Sequence, residues 1–252
     1  CAEAAGGDTG ANPIMQSAMK GRGNYSWSFP KKSFTLKLGE STSLCGLDKS
    51  KKYALVANDY DKSLLRNQLA SFVGQKFSNM GWTPKAVPVE FYMNGDYRGS
   101  YILIERIAIE GGKLDIKELN GDDEEEQIEP KITGGYIMEW DFRRGADHNV
   151  YLGSDSGYVG IKEPEHDLDR EGDNTGEGIS DAQLDWIADH LRDADNAMRA
   201  NSCQSGSWDG FIDMDSAVDY YIAMEYMKAV DGNMWASVYM YKPRGEKIHF
   251  GP

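Results

Sequence analysis

Residues 87–107 read VPVEFYMNGDYRGSYILIERI and contain the clearest structural signal in the sequence. Two runs rich in β-branched and aromatic residues flank Asn94-Gly95, a dipeptide that strongly favours a two-residue turn between antiparallel strands. Both positions of such a turn need a positive φ, which asparagine and glycine adopt more readily than most residues. This stretch therefore predicts a β-hairpin.

Two more strands and a helix are predicted before the hairpin. Apolar and polar residues alternate over 33–38, which is typical of a half-buried strand, and YALVAN at 53–58 predicts a second strand. Asp61 can cap the N-terminus of a helix with apolar residues at helical spacing, and Gly81 can end it. Residues 1–20 are rich in glycine and alanine and are interpreted as a tether.

The sequence after the hairpin predicts further strands separated by loops. GGYIMEWDF at 134–142 predicts a strand, and 143–178 is expected to be loop-rich. The acidic run 120–127 favours a solvated loop over a calcium site, because the spacing of an EF-hand loop is absent. Residues 236–242 and 247–250 flank PRGE and predict a second hairpin.

Two helices are predicted in the last third of the sequence. Ser180 and Gln183 form a capping-box pattern ahead of an amphipathic stretch. A further helix is expected to begin near Asp213 or Asp215 and to end at Asp231. Strands dominate the first part and helices the second, so the order of elements predicts an α+β protein with a sheet-rich N-terminal part and a mainly helical C-terminal part.

Composition excludes several classes of protein. The 252 residues include 27 Lys and Arg against 41 Asp and Glu, a net charge of −14. This acidity argues against nonspecific binding to nucleic acid or to an anionic membrane, and it suits a protein that acts on basic protein segments. No apolar run approaches the roughly 20 residues of a membrane span. The three cysteines allow at most one internal disulfide, and no C-x-x-C pair indicates zinc.

Five blocks of the sequence resemble the CotH kinase family, which comprises the spore-coat kinase and many secreted relatives. The blocks follow the family's order and cover roughly residues 20–252. They are KGRGNYSWSFPKKSFTLKL, LVANDYDKSLLRNQLA, VEFYMNGDYRGSYILIERI, GGYIMEWD and DMDSAVDYYIAMEYMKAVDGNMWASVYMYKPRGEKIHFGP. In the family the last block continues into Trp-Asp-Phe-Asp with a further functional aspartate, and the sequence stops before that stretch.

The resemblance implies an atypical protein-kinase-like fold of two lobes, a sheet-rich N-terminal lobe at about 21–141 and a mainly helical C-terminal lobe at about 142–252. It implies binding of ATP with Mg²⁺ or Mn²⁺ and phosphorylation of serine-type hydroxyls on a protein substrate, which could be basic and rich in serine. No nucleic-acid partner and no transmembrane segment are expected. The location implied is secreted or at the bacterial cell surface.

Alternatives to an active kinase remain open. Some relatives are thought to act mainly as surface-binding proteins, so a catalytically inactive adhesion or scaffold protein with the kinase fold is the second hypothesis. An accessory domain of a surface polysaccharide-handling system is a third. Cys1, followed by AEAAGGDTG, fits either the lipid-bearing first residue of a bacterial lipoprotein or an ordinary residue.

By analogy with the first lobe of a kinase, nucleotide-binding residues are expected on the first strands and their connections. Lys37 is the candidate phosphate lysine, because the small residue Thr35 lies two places earlier on the same strand face. Lys31 is a rival. Trp27 and Tyr25 could stack on a base, although packing is the expected use of their rings. The nucleotide-binding set is Gly21, Arg22, Gly23, Lys32, Lys37 and Glu105.

The acidic partner of Lys37 is expected outside the helix that follows Asp61. The sequence has no acidic residue between Lys62 and Val89, so that helix cannot supply the glutamate that pairs with the phosphate lysine in ordinary kinases. Glu105 and Glu139, each in a predicted strand, are the candidates.

The helix that ends near residue 231 supplies the remaining candidates. Glu225 lies on its apolar stripe and is expected to be buried with a cation or a hydrogen-bond donor as its partner. By resemblance, Asp231 matches the key aspartate of the family's VDG block. It is the candidate catalytic residue and metal ligand, with Asn233 as a second oxygen ligand. Ordinary turn chemistry of Asp-Gly-Asn is the alternative.

Overall fold

A computed structural model of the protein describes residues 15–143, 148–153, 156–164, 178–200 and 206–251. Within this part of the chain there are three α-helices and two five-stranded β-sheets, which confirms an α+β fold. The chain divides into two compact units. Unit 1 comprises Cys1–Lys76 and Thr83–Lys113, and unit 2 comprises Phe77–Trp82 and Leu114–Pro252.

Unit 1 is an antiparallel sheet with one helix. Its strand order is β1-β2-β3-β5-β4, and the helix α1 follows β3 and precedes β4 in sequence. The bounds are β1 (Ser17–Arg22), β2 (Ser33–Thr42), β3 (Ser50–Val56), α1 (Arg66–Gly74), β4 (Ala86–Met93) and β5 (Asp96–Glu105). The predicted hairpin joins β4 to β5, with Asn94 at φ 54° and Gly95 at φ 85°.

Successive side chains of a strand point to opposite faces of the sheet, and the core of unit 1 lies on one of these faces. Leu38 of β2, Leu55 of β3 and Leu103 of β5 are buried there, with Phe34 half-buried beside them. Phe34 lies opposite Leu55, and Leu55 lies opposite Leu103, so these side chains leave the sheet on the same side. The period-two pattern at 33–38 thus predicted both the strand and its buried face.

The N-terminal part of unit 1 differs from the prediction. Residues 17–20, expected as tether, lie in β1, which pairs along its whole length with β2. Helix α1 begins at Arg66, later than predicted, although the Asp61 carboxylate still accepts the Arg66 backbone N–H at 2.8 Å. The helix ends at Gly74, before the predicted stop at Gly81.

Unit 2 contains two α-helices and also the second five-stranded sheet, which the expectation of a mainly helical C-terminal part did not include. The strand order is β10-β9-β6-β8-β7, and two helices complete the unit. The bounds are β6 (Tyr136–Asp141), β7 (His148–Gly153), β8 (Gly157–Glu163), α2 (Asp181–Arg199), α3 (Met214–Met227), β9 (Val238–Lys242) and β10 (His249–Phe250). The predicted strand at 134–142 and the C-terminal hairpin are confirmed as β6 and as β9 with β10.

The boundary between the units follows from strand pairing. β6 pairs with β8 and β9, which places it in unit 2 and puts the boundary after Lys113 rather than near residue 141. β7 and β8 lie in the stretch 143–178 that was expected to be loop-rich. Residues 165–177, which belong to the same stretch, lie outside the described part of the chain.

Helix caps set the ends of the two helices of unit 2. The capping box of α2 is confirmed, because Ser180 accepts the Gln183 backbone N–H and the Gln183 side chain accepts that of Ser180. Asp213 caps α3 by accepting the Ser216 backbone N–H at 2.8 Å. Lys228 adopts a left-handed conformation (φ 51°, ψ 47°), which ends α3 at Met227, four residues before Asp231.

Two further sequence expectations concern cysteines and membranes. Cys45 is disulfide-bonded, in keeping with the single bridge that three cysteines allow. Cys1, the proposed lipid-bearing residue, lies outside the described part of the chain. No helix among the described residues has both the length and the apolar character that crossing a bilayer requires.

Candidate functional site

Asp231 lies in unit 2, in the loop that joins α3 to β9. Its carboxylate is exposed, while its backbone carbonyl accepts the Ala236 N–H at 2.8 Å. The next carbonyl, that of Gly232, accepts the hydroxyl of the buried Tyr220 at 2.8 Å. The backbone of the loop is therefore fixed to itself and to α3, and the Asp231 side chain leaves it toward solvent.

The side-chain oxygen of Asn233 is left without a partner within the described ranges of the chain. The amide nitrogen of Asn233 donates to a carboxylate oxygen of Glu225. The amide oxygen is therefore the atom that remains for other contacts. This oxygen, Oδ1, is buried and has no hydrogen-bond partner among the residues that the structure describes. An unsatisfied buried acceptor costs about 1–3 kcal/mol, so this oxygen fits a bound cation or a donor from a ligand.

Glu225 has a different environment from the one predicted. The carboxylate was expected to be buried on the apolar stripe of α3, but the residue is exposed. Its partner is the amide of Asn233 rather than a buried cation. Glu225 therefore positions a candidate ligand of the metal instead of forming a buried ion pair in the core.

A cation lies near Asp231. Arg143, just after β6, donates from Nε and Nη2 to the two carboxylate oxygens of Asp141 at 2.9 and 2.7 Å. This bidentate bond raises the pKa of Arg143, and the charges of Asp231 and Glu139 raise it further. Burial acts to raise the pKa of Asp141, but the bonds from Arg143 outweigh it and leave that pKa below its usual value.

Sequence reasoning did not select Asp141 or Arg143. Their only signal was an acid and a base two residues apart at the end of a predicted strand, which is common on protein surfaces. Asp141 also accepts the backbone N–H of Ser237 at 3.3 Å, so it ties the end of β6 to the loop that contains Asp231. Asp141 and Arg143 therefore contribute to the local structure and charge around Asp231, the candidate catalytic residue.

The oxygens of Asp231 and Asn233 suit a hard divalent cation. Carboxylate and amide oxygens are ligands for Mg²⁺, which in proteins usually keeps several waters and binds one or two carboxylates together with substrate phosphates. The described residues contain no group of three or more His, Cys, Asp or Glu that could hold a metal ion. The two residues fit a site completed by phosphates better than a closed protein cage.

Unit 1 places Lys37 in a row of cations on one sheet face. Lys37 of β2 lies directly opposite Lys52 of β3. On β1, Lys20 lies opposite Thr35 and Arg22 lies opposite Ser33, which puts both on the Lys37 face. Four positive side chains therefore project from the same side of three neighbouring strands.

Gly21 and Gly23, two residues of the predicted nucleotide-binding set, serve packing and chain reversal in unit 1. Gly21 belongs to β1, and a Cβ atom there would lie 2.3 Å from the ring of Trp27. Gly23 has φ 111° and begins the connection to β2, which includes a short 3-10 helix, Tyr25–Ser28. The space that Gly21 leaves is filled by Trp27, so packing is the observed use of that ring.

Glu105 does not fit as the acidic partner of Lys37. The residue is buried, and its two carboxylate oxygens accept the backbone N–H groups of Asp48 and Lys85 at 2.7 and 2.8 Å. It lies opposite Tyr53, the neighbour of Lys52 on β3, so its side chain leaves the sheet on the side away from Lys37. The expectation that Glu105 binds nucleotide has no support in this geometry.

The other predicted residues have partners of their own. Glu139 of unit 2 pairs with Lys162 at 2.7 Å. The ammonium of Lys32 donates to the Trp27 carbonyl and lies 5.3 Å from the centre of that ring. Lys31 donates to the Ser100 carbonyl and lies over the Tyr101 ring. Lys31 and Lys32 thus belong to the core side of the sheet.

Comparison with protein families gives a match over nearly the whole chain. A family model described as CotH kinase protein matches residues 19–252 and so includes the described parts of both units. No curated protein matches the chain. The matched region covers more than nine tenths of the sequence and contains Lys37, Asp231 and Asn233. The chain therefore belongs to the CotH kinase family.

Proposed function

We propose that this protein is an atypical protein kinase that uses ATP with Mg²⁺ or Mn²⁺ to phosphorylate serine-type hydroxyls of a secreted or cell-surface protein. Membership of the CotH kinase family supports a kinase-like function. The observation on which the proposal depends most is the unpartnered, buried Oδ1 of Asn233 two residues from the exposed carboxylate of Asp231.

The cation row of unit 1 supports a role in binding phosphates. A triphosphate has several negative charges, and phosphoryl transfer depends mainly on positioning and neutralising them. Lys37 and Lys52 are direct partners on the neighbouring strands β2 and β3, so two positive side chains lie next to each other on this face. In protein kinases the phosphate lysine lies on the strand before the regulatory helix. Here that strand is β3, so Lys52 joins Lys37 as a candidate.

The loop of unit 2 supports the catalytic role. The Asp231 carboxylate would accept the proton of the substrate hydroxyl, or orient that hydroxyl, while Asn233 would contribute an amide oxygen to the metal. Arg143 remains charged beside it and would limit the repulsion between the carboxylate and incoming phosphates. A bound divalent ion would neutralise charge on the transferred phosphoryl group.

The decisive experiment is incubation of the full-length protein with ATP labelled on the γ-phosphate, Mn²⁺ or Mg²⁺, and a basic substrate rich in serine. Label is expected in the substrate or in the protein itself and is expected to disappear in Asp231→Asn. Absence of label under both metals, with ATP binding intact, would contradict the proposal and favour a binding or scaffold function.

A further inference from the structure

A cavity of about 410 Å³ lies in unit 1, on the core side of the sheet. Its wall combines three cations with three aromatic rings, and no acidic side chain lines it among the described residues. The residues are Lys31, Lys32, Arg98, Phe34, Tyr97 and Tyr101. Such a concentration of positive charge is unexpected in a protein with a net charge of −14.

The cavity is formed where two segments meet. Lys31 and Lys32 end the β1–β2 connection, and Arg98 belongs to β5 just after the β4–β5 turn. The Tyr101 hydroxyl donates to the Lys32 carbonyl at 2.9 Å and joins the two segments. The Lys31 ammonium donates to the Ser100 carbonyl, which fastens the connection to β5 a second time. The wall is therefore held by hydrogen bonds before any ligand binds.

The two lysines have donors to spare. Each ammonium has three N–H groups, and each donates one of them to a backbone carbonyl. The Lys31 nitrogen lies 4.5 Å from the centre of the Tyr101 ring. Burial lowers the pKa of Lys31, against the charges of Asp59 and Glu90, which act in the other direction. A bound anion would compensate the cost of holding this cation away from water.

Nearby carboxylates leave Arg98 available as well. Asp96 is 3.6 Å from Nη2 of Arg98, a long contact between two largely exposed side chains, and such pairs contribute little. Glu90 accepts the hydroxyl of Tyr97, which occupies one of its oxygens. The guanidinium can therefore turn its fork of donors toward an anion in the cavity.

We propose that this cavity binds a phosphate monoester attached to an aromatic or apolar group, either a phosphorylated side chain or a small aryl phosphate. Three cations match a dianionic phosphate, and planar donors of arginine bind it through two hydrogen bonds. The rings of Phe34, Tyr97 and Tyr101 would contact the apolar part of the ligand. The volume is in the range of small-ligand pockets, about 300–1,000 Å³.

The proposed site is separate from the Lys37 row. Phe34 lies opposite Leu55 and next to Thr35, so it projects from the side of the sheet away from Lys37 and Lys52. Binding at the cavity therefore does not depend on phosphoryl transfer. A failed kinase assay and a failed binding assay for the cavity would be independent results.

The test is a calorimetric titration of the full chain with phenyl phosphate at low salt. We expect saturable binding that weakens with added NaCl and that falls about tenfold or more in Arg98→Gln and in Lys32→Gln, since each loses a charge-assisted hydrogen bond. Lys49→Gln is the matched control, because Lys49 is exposed and outside the cavity. Thermal unfolding of each variant separates loss of binding from loss of fold.

Further arms identify the source of the phosphate. Tighter binding of a phosphotyrosine or phosphoserine peptide than of phenyl phosphate would support a phosphorylated protein as the partner, while preference for phenyl phosphate would support a small molecule. Lys37→Ala is expected to retain phenyl phosphate binding. The proposal is overturned if millimolar phenyl phosphate does not bind, or if it binds Arg98→Gln as tightly as the wild type. It is also overturned if ATP displaces phenyl phosphate and Arg98→Gln loses the binding of both ligands.

Discussion

Lys37 of β2 and Lys52 of β3 are direct cross-strand partners, and their side chains leave the sheet on the same side. Like charges directly opposite each other on two strands repel. Lys20 and Arg22 of β1 add two more cations on that side. A polyanion such as the triphosphate of ATP is the ligand that best matches a surface of this kind.

Lys37→Ala is expected to weaken ATP binding about tenfold or more, because it removes a charge-assisted contact to phosphate. Lys51→Ala is the matched control, since Lys51 is also an exposed lysine but precedes Lys52 and so projects from the other side of β3. Calorimetric titration with ATP measures both. Equal affinity in wild type and Lys37→Ala would move the phosphate contact to Lys52.

Glu105→Ala is expected to lower the free energy of unfolding by about 3 kcal/mol, because it leaves the backbone N–H groups of Asp48 and Lys85 without their acceptor. Glu105→Gln keeps one acceptor oxygen and should cost less. Glu40→Ala, at an exposed position of β2, is the control. Denaturant unfolding gives the values. A stable Glu105→Ala that loses ATP affinity would restore the nucleotide-binding role once expected for this residue.

In unit 1 the sequence predicted the strands that have one buried and one exposed face. It missed the strand β1, in which both faces are exposed. The alternation around Lys37 placed Thr35 and Lys37 together on one face, which the register confirms. Every residue of β1 is exposed, so Ser17–Arg22 has no apolar period and resembles a tether. The side from which Glu105 projects depends on register with β3, and sequence alone does not determine register.

The error at Glu225 has a specific physical cause. Helical spacing placed Glu225 on a stripe with Tyr221 and Ile222, and an apolar stripe normally faces a core. In α3, Tyr221 and Ile222 are themselves 50% and 48% exposed, so the stripe identified the wrong face. Family resemblance, not periodicity, singled out Asp231, because an exposed aspartate before a glycine also fits an ordinary turn.

Asp231→Ala is expected to abolish phosphoryl transfer while the melting temperature stays within about 2 °C of wild type, since the substitution removes only an exposed carboxylate. The backbone bond from Ala236 to the Asp231 carbonyl does not depend on the side chain. Label transfer and thermal unfolding are measured on the same preparation. A large fall in melting temperature with activity retained would indicate a structural role instead.

Glu225→Ala tests whether Asn233 is a positioned ligand. The variant frees the Asn233 amide to rotate, so we expect the Mn²⁺ concentration needed for half-maximal activity to rise several-fold while helix α3 is preserved, because alanine favours helices. Glu225→Gln retains an acceptor oxygen and should stay close to wild type. Identical metal dependence in all three proteins would remove Asn233 from the metal site.

His190 of α2 makes the stability of unit 2 sensitive to acid. Its ring stacks on Trp186 with centroids 5.0 Å apart and also contacts Phe211, and its Nε2 is buried without a hydrogen-bond partner. Burial, with a smaller effect of the charge on Lys242, lowers the pKa of His190 from 6.5 to about 4. The folded protein therefore keeps the ring neutral over a range of pH in which the unfolded chain binds a proton.

The sign of the effect follows from proton binding. Between pH 6.5 and pH 4 the unfolded state holds the extra proton at this residue, so stability should fall as the pH is lowered, by at most about 3 kcal/mol from His190. His190→Phe keeps a stacked ring but cannot titrate, so its stability should fall less over the same interval. Denaturant unfolding at pH 7, 5.5 and 4 compares the two proteins. Parallel curves would mean that the imidazole is already protonated in the folded state.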